Sequence, residues 1–555
     1  MNSEGVKIRY GDVAPEAKEN FVPSTEDKTA FTDLSELQEY NVKFQNFGNP
    51  CEYGAVMLDS TSKAFPLDPN NENMGLWSNS VSNSTGAFAT PITLTLTSSG
   101  QYSSQGFTFT FDTYNNIFCN NLTITWYRNN VQIETADFVP NSAFYFCRKK
   151  VENFDKVVIV FKKINMPYNR LKLCVIDYGY GTFFTSEELR NVSVIQELNP
   201  ISAEISINTV DFTLDNKSDM EYSFQSKQAL EVYFNGELRA VSFINKSQRQ
   251  TKNTWKVESE DYIGQLSKLT FMGGMYDGIN ANELLTSIFT QAKIPFSVSE
   301  DLLQKTVTGH IPICDCREAV RQICFAIGAV CSTANSDKVD IYTMSDTIKD
   351  TVDLSRIRQG QSFDEEDRVT AVKLAAHNYK AISESTEAYR ASDSGTGDNI
   401  LVQFSEPLHD LTISGGTILK SSANYAMIKA NAGCVLTGKK YEDTTTVYTK
   451  NNPIVSASDL ENVIEITDAT LVNKFNAEDI LLKAFNCLIK RNTTKLKINE
   501  GYSYGENEEK IFDSIVNVGD VITAETEYLG TITGRIISER FNLNGGILVK
   551  ECELI

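Results

Sequence analysis

Histidine is scarce in this chain: its 555 residues include His310, His377 and His409 and no others. A hydrolase of the Ser-His-Asp or Cys-His kind needs a histidine as proton carrier. None of the three sits in a recognisable motif. His310 precedes Ile311-Pro312 at a strand end, His377 closes the run begun at Val369, and His409 lies in Glu406-Pro-Leu-His-Asp. Each reads as structural or solvent-facing. Long apolar runs are also missing. The longest, Ile323–Cys331, has nine residues, against the roughly 18 to 20 that cross a bilayer, so no membrane span is expected. The opening Met-Asn-Ser-Glu-Gly-Val-Lys lacks the apolar core of a signal peptide, which predicts synthesis in the cytoplasm.

Positive charge is in deficit. With 51 basic and 72 acidic residues the net charge is -21, which argues against gripping a phosphate backbone, so no direct nucleic-acid binding is expected. The balance fits an ordinary acidic protein or an acidic channel wall that repels passing DNA. The eleven cysteines are an odd number in a long chain and read as free thiols in a reducing compartment. The densest group, Cys314, Cys316, Cys324 and Cys331, lacks the paired Cys-x-x-Cys spacing of a zinc site. Cys324 falls on the buried stripe of a helix and Cys331 in a strand, so core packing is the expectation. Asp364-Glu-Glu-Asp reads as a solvated turn before it reads as a glycosidase pair. Gly395-Thr-Gly has no following helix with a lysine, and no calcium-loop spacing occurs. The chain is therefore expected to be no enzyme, with no catalytic residue, metal or cofactor.

What is present is mostly strand signal. The length predicts about three to five domains. Residues 1–75 read as a polar N-terminal arm, with a helical turn near Asp33–Tyr40. Residues 76–181 hold short alternating runs, including Ile92–Thr97, Phe107–Phe111, Leu122–Tyr127, Val157–Phe161 and Leu171–Ile176, the pattern of an all-β sandwich. In 182–278, Ile205, Ile207, Val210, Phe212 and Leu214 set up strands and Asn235-Gly236 suits a hairpin turn. Residues 279–352 form a helix-and-hairpin unit. Asn280 and Glu283 mark one helix start and Pro295 its end. Asp315 with Glu318 is a capping-box signature, Val320, Ile323, Cys324 and Ile327 recur at helical spacing, and Gly328 stops the run. Ala329–Ala334 and Val339–Thr343 then read as a hairpin. Residues 353–470 are a second β-rich region with a loop at Ser392–Asn399. In 471–555 Asn476 is placed to cap a helix with Ile480, Leu481, Ala484, Phe485, Leu488 and Ile489 on one stripe, before closing strands.

The Arg317-Glu-Ala helix followed by Ala326-Ile-Gly-Ala-Val and a hairpin, preceded by Thr306-Val-Thr-Gly-His-Ile-Pro, resembles the hub proteins at the tip of long bacteriophage tails, especially those of prophages from Gram-positive bacteria. The resemblance covers most of residues 180–555. It implies a mainly β fold with minor α (α+β), in which tail-hub-type β-barrels flank the helix-and-hairpin unit. It also implies a structural role at the virion tail tip or baseplate. There a homotrimer gives two barrels per chain to a ring that closes the tail tube and meets the distal tail or tube protein, the tape-measure protein and tip or spike proteins.

Residues 76–181 resemble the galactose-binding-like jelly rolls of carbohydrate-binding modules, in the framework strands Leu122–Val131 and Val157–Leu173. Sugars stack on aromatic rings while amides and carboxylates take their hydroxyls. Trp77, Tyr102 and Tyr114 with Asp112, Asn115 and Asn116 are the candidate residues; Trp126 falls within a strand and reads as core. Two other functions follow from this: a tail protein that binds cell-surface carbohydrate to recognise the host, or a tail-associated wall hydrolase, which needs a catalytic set the sequence does not display.

Overall fold

The computed structural model describes residues 6–13, 17, 20–29, 32–38, 75–112, 115–217, 222, 224–234, 237–392, 397–455, 460–490, 492–500, 502–504, 510–512, 516–527, 529–542 and 548–555. They are mostly β-sheet, and fall into two compact units. One comprises the described residues of Arg9–Phe183 and Glu221–Ser223, the other those of Met1–Ile8, Phe184–Met220 and Phe224–Ile555.

The first unit is built on seven hydrogen-bonded strands. Leu76–Val81, Arg170–Asp177, Ala87–Phe111, Phe144–Ile164, Cys119–Arg128 and Val131–Phe138 follow one another across the sheet, and Val22–Ser24 adds to Ala87–Phe111. The alternation in Ile92–Thr97 sends Ile92, Leu94 and Leu96 inward and leaves Thr93 and Thr97 exposed, as the two-residue period of a strand requires. The separate runs Ile92–Thr97 and Phe107–Phe111 belong to one strand, Ala87–Phe111, because register shifts at Tyr102, Ser104 and Gly106 let it bend while staying paired. Asn129 and Asn130, with φ of 50° and 61°, form a two-residue hairpin turn. Phe107, Phe109, Phe111, Trp126, Phe154 and Phe161 are fully buried in the core. Phe21 and Leu37, from the stretch read as an arm, lie in that same core, Phe21 stacking on Tyr178 at 5.1 Å.

The second unit joins residues far apart in sequence. Ile357–Asp364, Thr493–Glu500, Leu548–Leu554, Gly530–Asn542, Leu189–Glu197, Thr209–Asp215, Thr254–Glu260, Glu237–Arg249 and Ala229–Phe234 pair in that order. The closing strands thus continue the sheet begun at Leu189, with Val194 opposite Phe541. The expected barrels are not formed: none of the sheets closes among the described residues. Closure needs a ladder between first and last strands, and the hydrogen-bonded path ends without one. Asn235-Gly236 lies outside the described residues, between the paired Phe234 and Glu237.

Two helices and a hairpin share one core in this unit. Helix α1 (Ala281–Ala292) buries Leu284, Leu285, Ile288 and Phe289, and helix α2 (Cys316–Ile327) buries Val320, Ile323 and Cys324. Asn280 Oδ1 accepts from the N–H of Asn282 and Glu283, and Asp315 Oδ1 from that of Glu318, so both helices start where the polar residues predict. The Glu318 carboxylate does not complete a capping box, being held instead by Arg321 and Gln322. Helix α1 ends before Pro295: Lys293, in the left-handed region, caps it. Gly328 caps α2 at φ 69°, and Val330–Ser332 pairs with Val339–Tyr342.

A five-stranded sheet orders Gly397–Gln403, Tyr425–Asn451, Ala371–Arg390 and Val463–Ile466, with Leu408–Ser421 also on Tyr425–Asn451. Residues 393–396 of the expected loop lie outside the described set. Helix α3 (Ala477–Leu488) covers this sheet, packing Ile480, Leu481, Ala484 and Phe485 against Leu374, Ala376 and Val472. Asn476 does not cap it, because its Oδ1 accepts from Asn473 N–H and its Nδ2 donates to Ala326 O.

Candidate functional site

Strand Arg170–Asp177 is buried from Leu171 onward and carries a lysine in its middle. Lys172, 2% exposed, places Nζ 2.9 Å from Asp112 Oδ2 and 4.6 Å from the centroid of the Trp77 ring. Trp77 reaches it because the two residues are register partners on adjacent strands. Asn115 completes the set, its N–H donating to Asp112 Oδ1 at 3.0 Å and its Nδ2 to Oδ2 at 2.8 Å. Burial pushes the Asp112 carboxyl up, but the Lys172 charge and the Asn115 bonds together outweigh it and hold the group below the usual carboxylate range.

Of the candidate sugar ligands, Trp77, Asp112 and Asn115 come together and the others have different neighbours. Tyr102 packs 5.6 Å from Phe21, and its hydroxyl accepts from Asn20 Nδ2. Asn116 is exposed and gives its carbonyl to Asn165 Nδ2. Tyr114 lies outside the described residues. Stacking a sugar takes an open ring face, and Trp77 is 5% exposed with an ammonium over its ring. The geometry is that of an ion pair sealed under an indole. Sequence reasoning missed Lys172; its signal is a lysine between Leu171 and Leu173 in an otherwise apolar run.

The remaining candidates are occupied structurally. Burial pushes the thiols of Cys314 and Cys324 up to about 12 and that of Cys316 to about 11, so they stay protonated and weakly reactive at neutral pH. Among the described residues no three His, Cys, Asp or Glu side chains gather as a metal-holding set. Asn424 Nδ2 donates to Met272 O and Ile311 O, so its Oδ1 must accept, and His310 donates to it from Nε2 at 2.7 Å. Burial lowers the His310 pKa, leaving the ring neutral at pH 7. His377 Nδ1 lies 2.7 Å from Asp443, and His409 Nε2 is 3.2 Å from the carbonyls of Ile382 and Lys440. Glu365, Glu366 and Asp367 line an open cleft of about 830 Å³ together with Asp346, Arg368, Lys490 and Arg535.

The polar centre of the second unit is Arg321, 7% exposed. It grips Glu318 through Nε and Nη2, both at 2.7 Å, and Asp468 Oδ2 at 2.8 Å. Gln322 spans Glu318 and the Asp468 carbonyl and accepts from Thr470 N–H. Helix α2 is thereby tied to the segment that leads into α3. The guanidinium is buried and held bidentately by Glu318, while the Asp468 carboxylate that it also reaches stays exposed.

The chain is similar to several solved tail proteins. The 43 kDa tail protein of prophage MuSo2 from Shewanella oneidensis is 10% identical with a TM-score of 0.42, over 67% of this chain and 94% of that one. A tail protein from Neisseria meningitidis MC58 is 12% identical with a TM-score of 0.40, over 66% and 95%. Prophage tail protein gp18 from Listeria monocytogenes EGD-e is 9% identical with a TM-score of 0.39, over 68% and 90%. No family model and no curated protein sequence matches the chain. Among the described residues, no helix is long and apolar enough to cross a membrane.

Proposed function

We propose that this chain is a structural component of a bacteriophage tail tip or baseplate hub, which closes the tail tube and links it to the host-recognition apparatus. Its chemistry is association without reaction. The reading rests on the residues that carry the hub resemblance, which belong to one packed body. Strand Thr306–Ile311 pairs with Gly274–Asn280, and Val307 and Ile311 share a core with α1, α2 and the hairpin. In this reading three copies form a ring in contact with the distal tail or tube protein, the tape-measure protein and tip or spike proteins, on the tail of a virion whose host is Gram-positive. Electron microscopy of the purified chain tests it: threefold rings with a central pore are expected. Particles without threefold symmetry, alone and with a tube protein, would sink the reading. The first unit is read as a jelly-roll-like mount. Its enclosed Trp77–Lys172–Asp112 cluster favours a framework role, and a glycan array with the full chain is expected to show no specific binding.

A further inference from the structure

Among the described residues, one edge of the five-stranded sheet presents main-chain groups to no neighbouring strand. Tyr425–Asn451 runs against Ala371–Arg390 in unbroken register from Ala371 opposite Asn451 to Ala381 opposite Tyr441. On its other side Leu408–Ser421 accompanies it only as far as Lys440. Residues along an antiparallel strand turn their N–H and C=O alternately to one neighbour and the other. Asn452 N–H donates to Thr370 O at 2.9 Å, which puts the even-numbered residues on the Ala371–Arg390 side. Tyr441 N–H reaches the opposite way, to Pro407 O. His377, the register partner of Thr445, likewise turns its N–H away to Val472 O. Asp443, Thr445, Val447 and Thr449 therefore aim four N–H and four C=O groups at the open edge. Glu442–Val447 are exposed at six consecutive positions, so neither the edge nor the flanking faces are sheltered.

Strand edges are normally blunted by bulges, lysines or prolines. The strand it pairs with, Ala371–Arg390, is so treated: its register breaks between Ala381 and Ser385 and between Glu387 and Tyr389, and it carries Lys380, Glu384, Glu387 and Arg390. Asp443–Thr449 has no bulge, lysine or proline, and reads Asp-Thr-Thr-Thr-Val-Tyr-Thr, a β-prone sequence.

We propose that this edge pairs, antiparallel and across a two-fold axis, with the same edge of a second copy of this chain. One register uses all eight groups, setting Asp443 opposite the second copy's Thr449 and Thr445 opposite its Val447. Thr446 then faces its own counterpart as a non-hydrogen-bonded pair. Glu442 faces the second copy's Lys450, so opposite charges meet at both ends. A parallel pairing in register would instead set acid against acid. The self-complementary charge is what selects a second copy over an unrelated strand, and the two-fold contact leaves no edge free to propagate.

The inference goes beyond the tail-tip reading and does not need it. A two-fold contact doubles whatever the rest of the chain builds, one copy to two or a ring of three to six. Sedimentation of the full chain tests it, and an even number of copies is expected. Thr445→Pro removes an edge-facing N–H without touching the ladder to Ala371–Arg390, and Val447→Lys adds a blunting charge. Each should weaken the association at least tenfold while circular dichroism stays unchanged. Thr446→Cys should give a disulfide-linked dimer on mild oxidation, since directly opposed strand residues come within disulfide reach, whereas Ser383→Cys and the unaltered chain should not. One or three copies at all concentrations would overturn the edge pairing, the latter while leaving the ring intact. An even assembly that survives Thr445→Pro and fails to cross-link through Thr446→Cys would overturn it as well.

Discussion

Asp112 in the first unit and Asp261 in the second are both buried, at 7% and 3% exposed, yet their titrations are shifted in opposite directions. Asp112 has a lysine against it and is held below the ordinary carboxylate range. Asp261 caps the short helix Tyr262–Leu266 through Gly264 N–H. It accepts from the Thr333 hydroxyl, which in turn accepts from Asn208 Nδ2 at 2.8 Å. Burial without a cation raises its pKa to about 6, the hydrogen bonds offsetting only part of the cost. The carboxyl with a cation against it is held toward its ionised form, and the one without is pushed toward its protonated form.

The largest break in this comparison is Lys172→Met. It strips Asp112 of its cation and leaves a buried carboxyl in the position of Asp261. A loss of about 3 to 5 kcal/mol at pH 7 is expected in denaturant unfolding, and the Asp112 pKa should move above the ordinary value, as NMR titration would register. If stability is unchanged, the pair does not hold the strands.

The next effect is one of pH. The folded pKa of Asp112 lies below that of the unfolded chain, so its contribution is present above the ordinary carboxylate pKa and lost as pH falls through the folded value. The folded pKa of Asp261, about 6, lies above the ordinary 3.8. Its contribution is full below 3.8 and lost as pH rises through about 6, a swing of about 3 kcal/mol. Asp261→Asn should abolish that swing, so that the stability profiles of variant and parent diverge between pH 4 and 6 and run parallel above 7. Parallel profiles throughout would show that Asp261 does not titrate as described.

Two smaller changes sharpen the contrast. Asn115→Ala removes two bonds to a charged carboxylate and should cost about 1.5 to 3 kcal/mol, with the Asp112 pKa rising toward the ordinary value. Thr333→Val removes one bond to Asp261 and should raise its pKa further, at a cost of about 1 kcal/mol at pH 7. Equal effects on both carboxyls would contradict the difference drawn between them.

The sequence shows the local parts of this architecture well. Asp315 and Asn280 announce their helices because an N-cap is satisfied within three residues, and Gly328 announces a helix end because the left-handed cap suits a residue without a Cβ. Ile92–Thr97 shows its strand because alternation is local. Asn476 misleads, since its amide answers to Ala326 O and Asn473 N–H. The candidate sugar residues mislead for a related reason. Trp77 and Asp112 look free beside their chain neighbours, and only the register with Arg170–Asp177 reveals the lysine they enclose.

By itself the sequence determined that the protein is mainly β, that two amphipathic helices and a hairpin pack as one body, and that its few histidines belong to no recognisable catalytic motif. These follow from composition and short-period patterns, which act over a turn of helix or a few residues of strand. Only the tertiary structure decided that strands near 190 and 540 share a sheet, that Lys172 neutralises Asp112, and that among the described residues one strand edge has no paired neighbour from Asp443 to Thr449. Those depend on which distant segments meet. Strand pairing is decided by whole-chain burial and hydrogen-bond satisfaction, which no local window of residues contains.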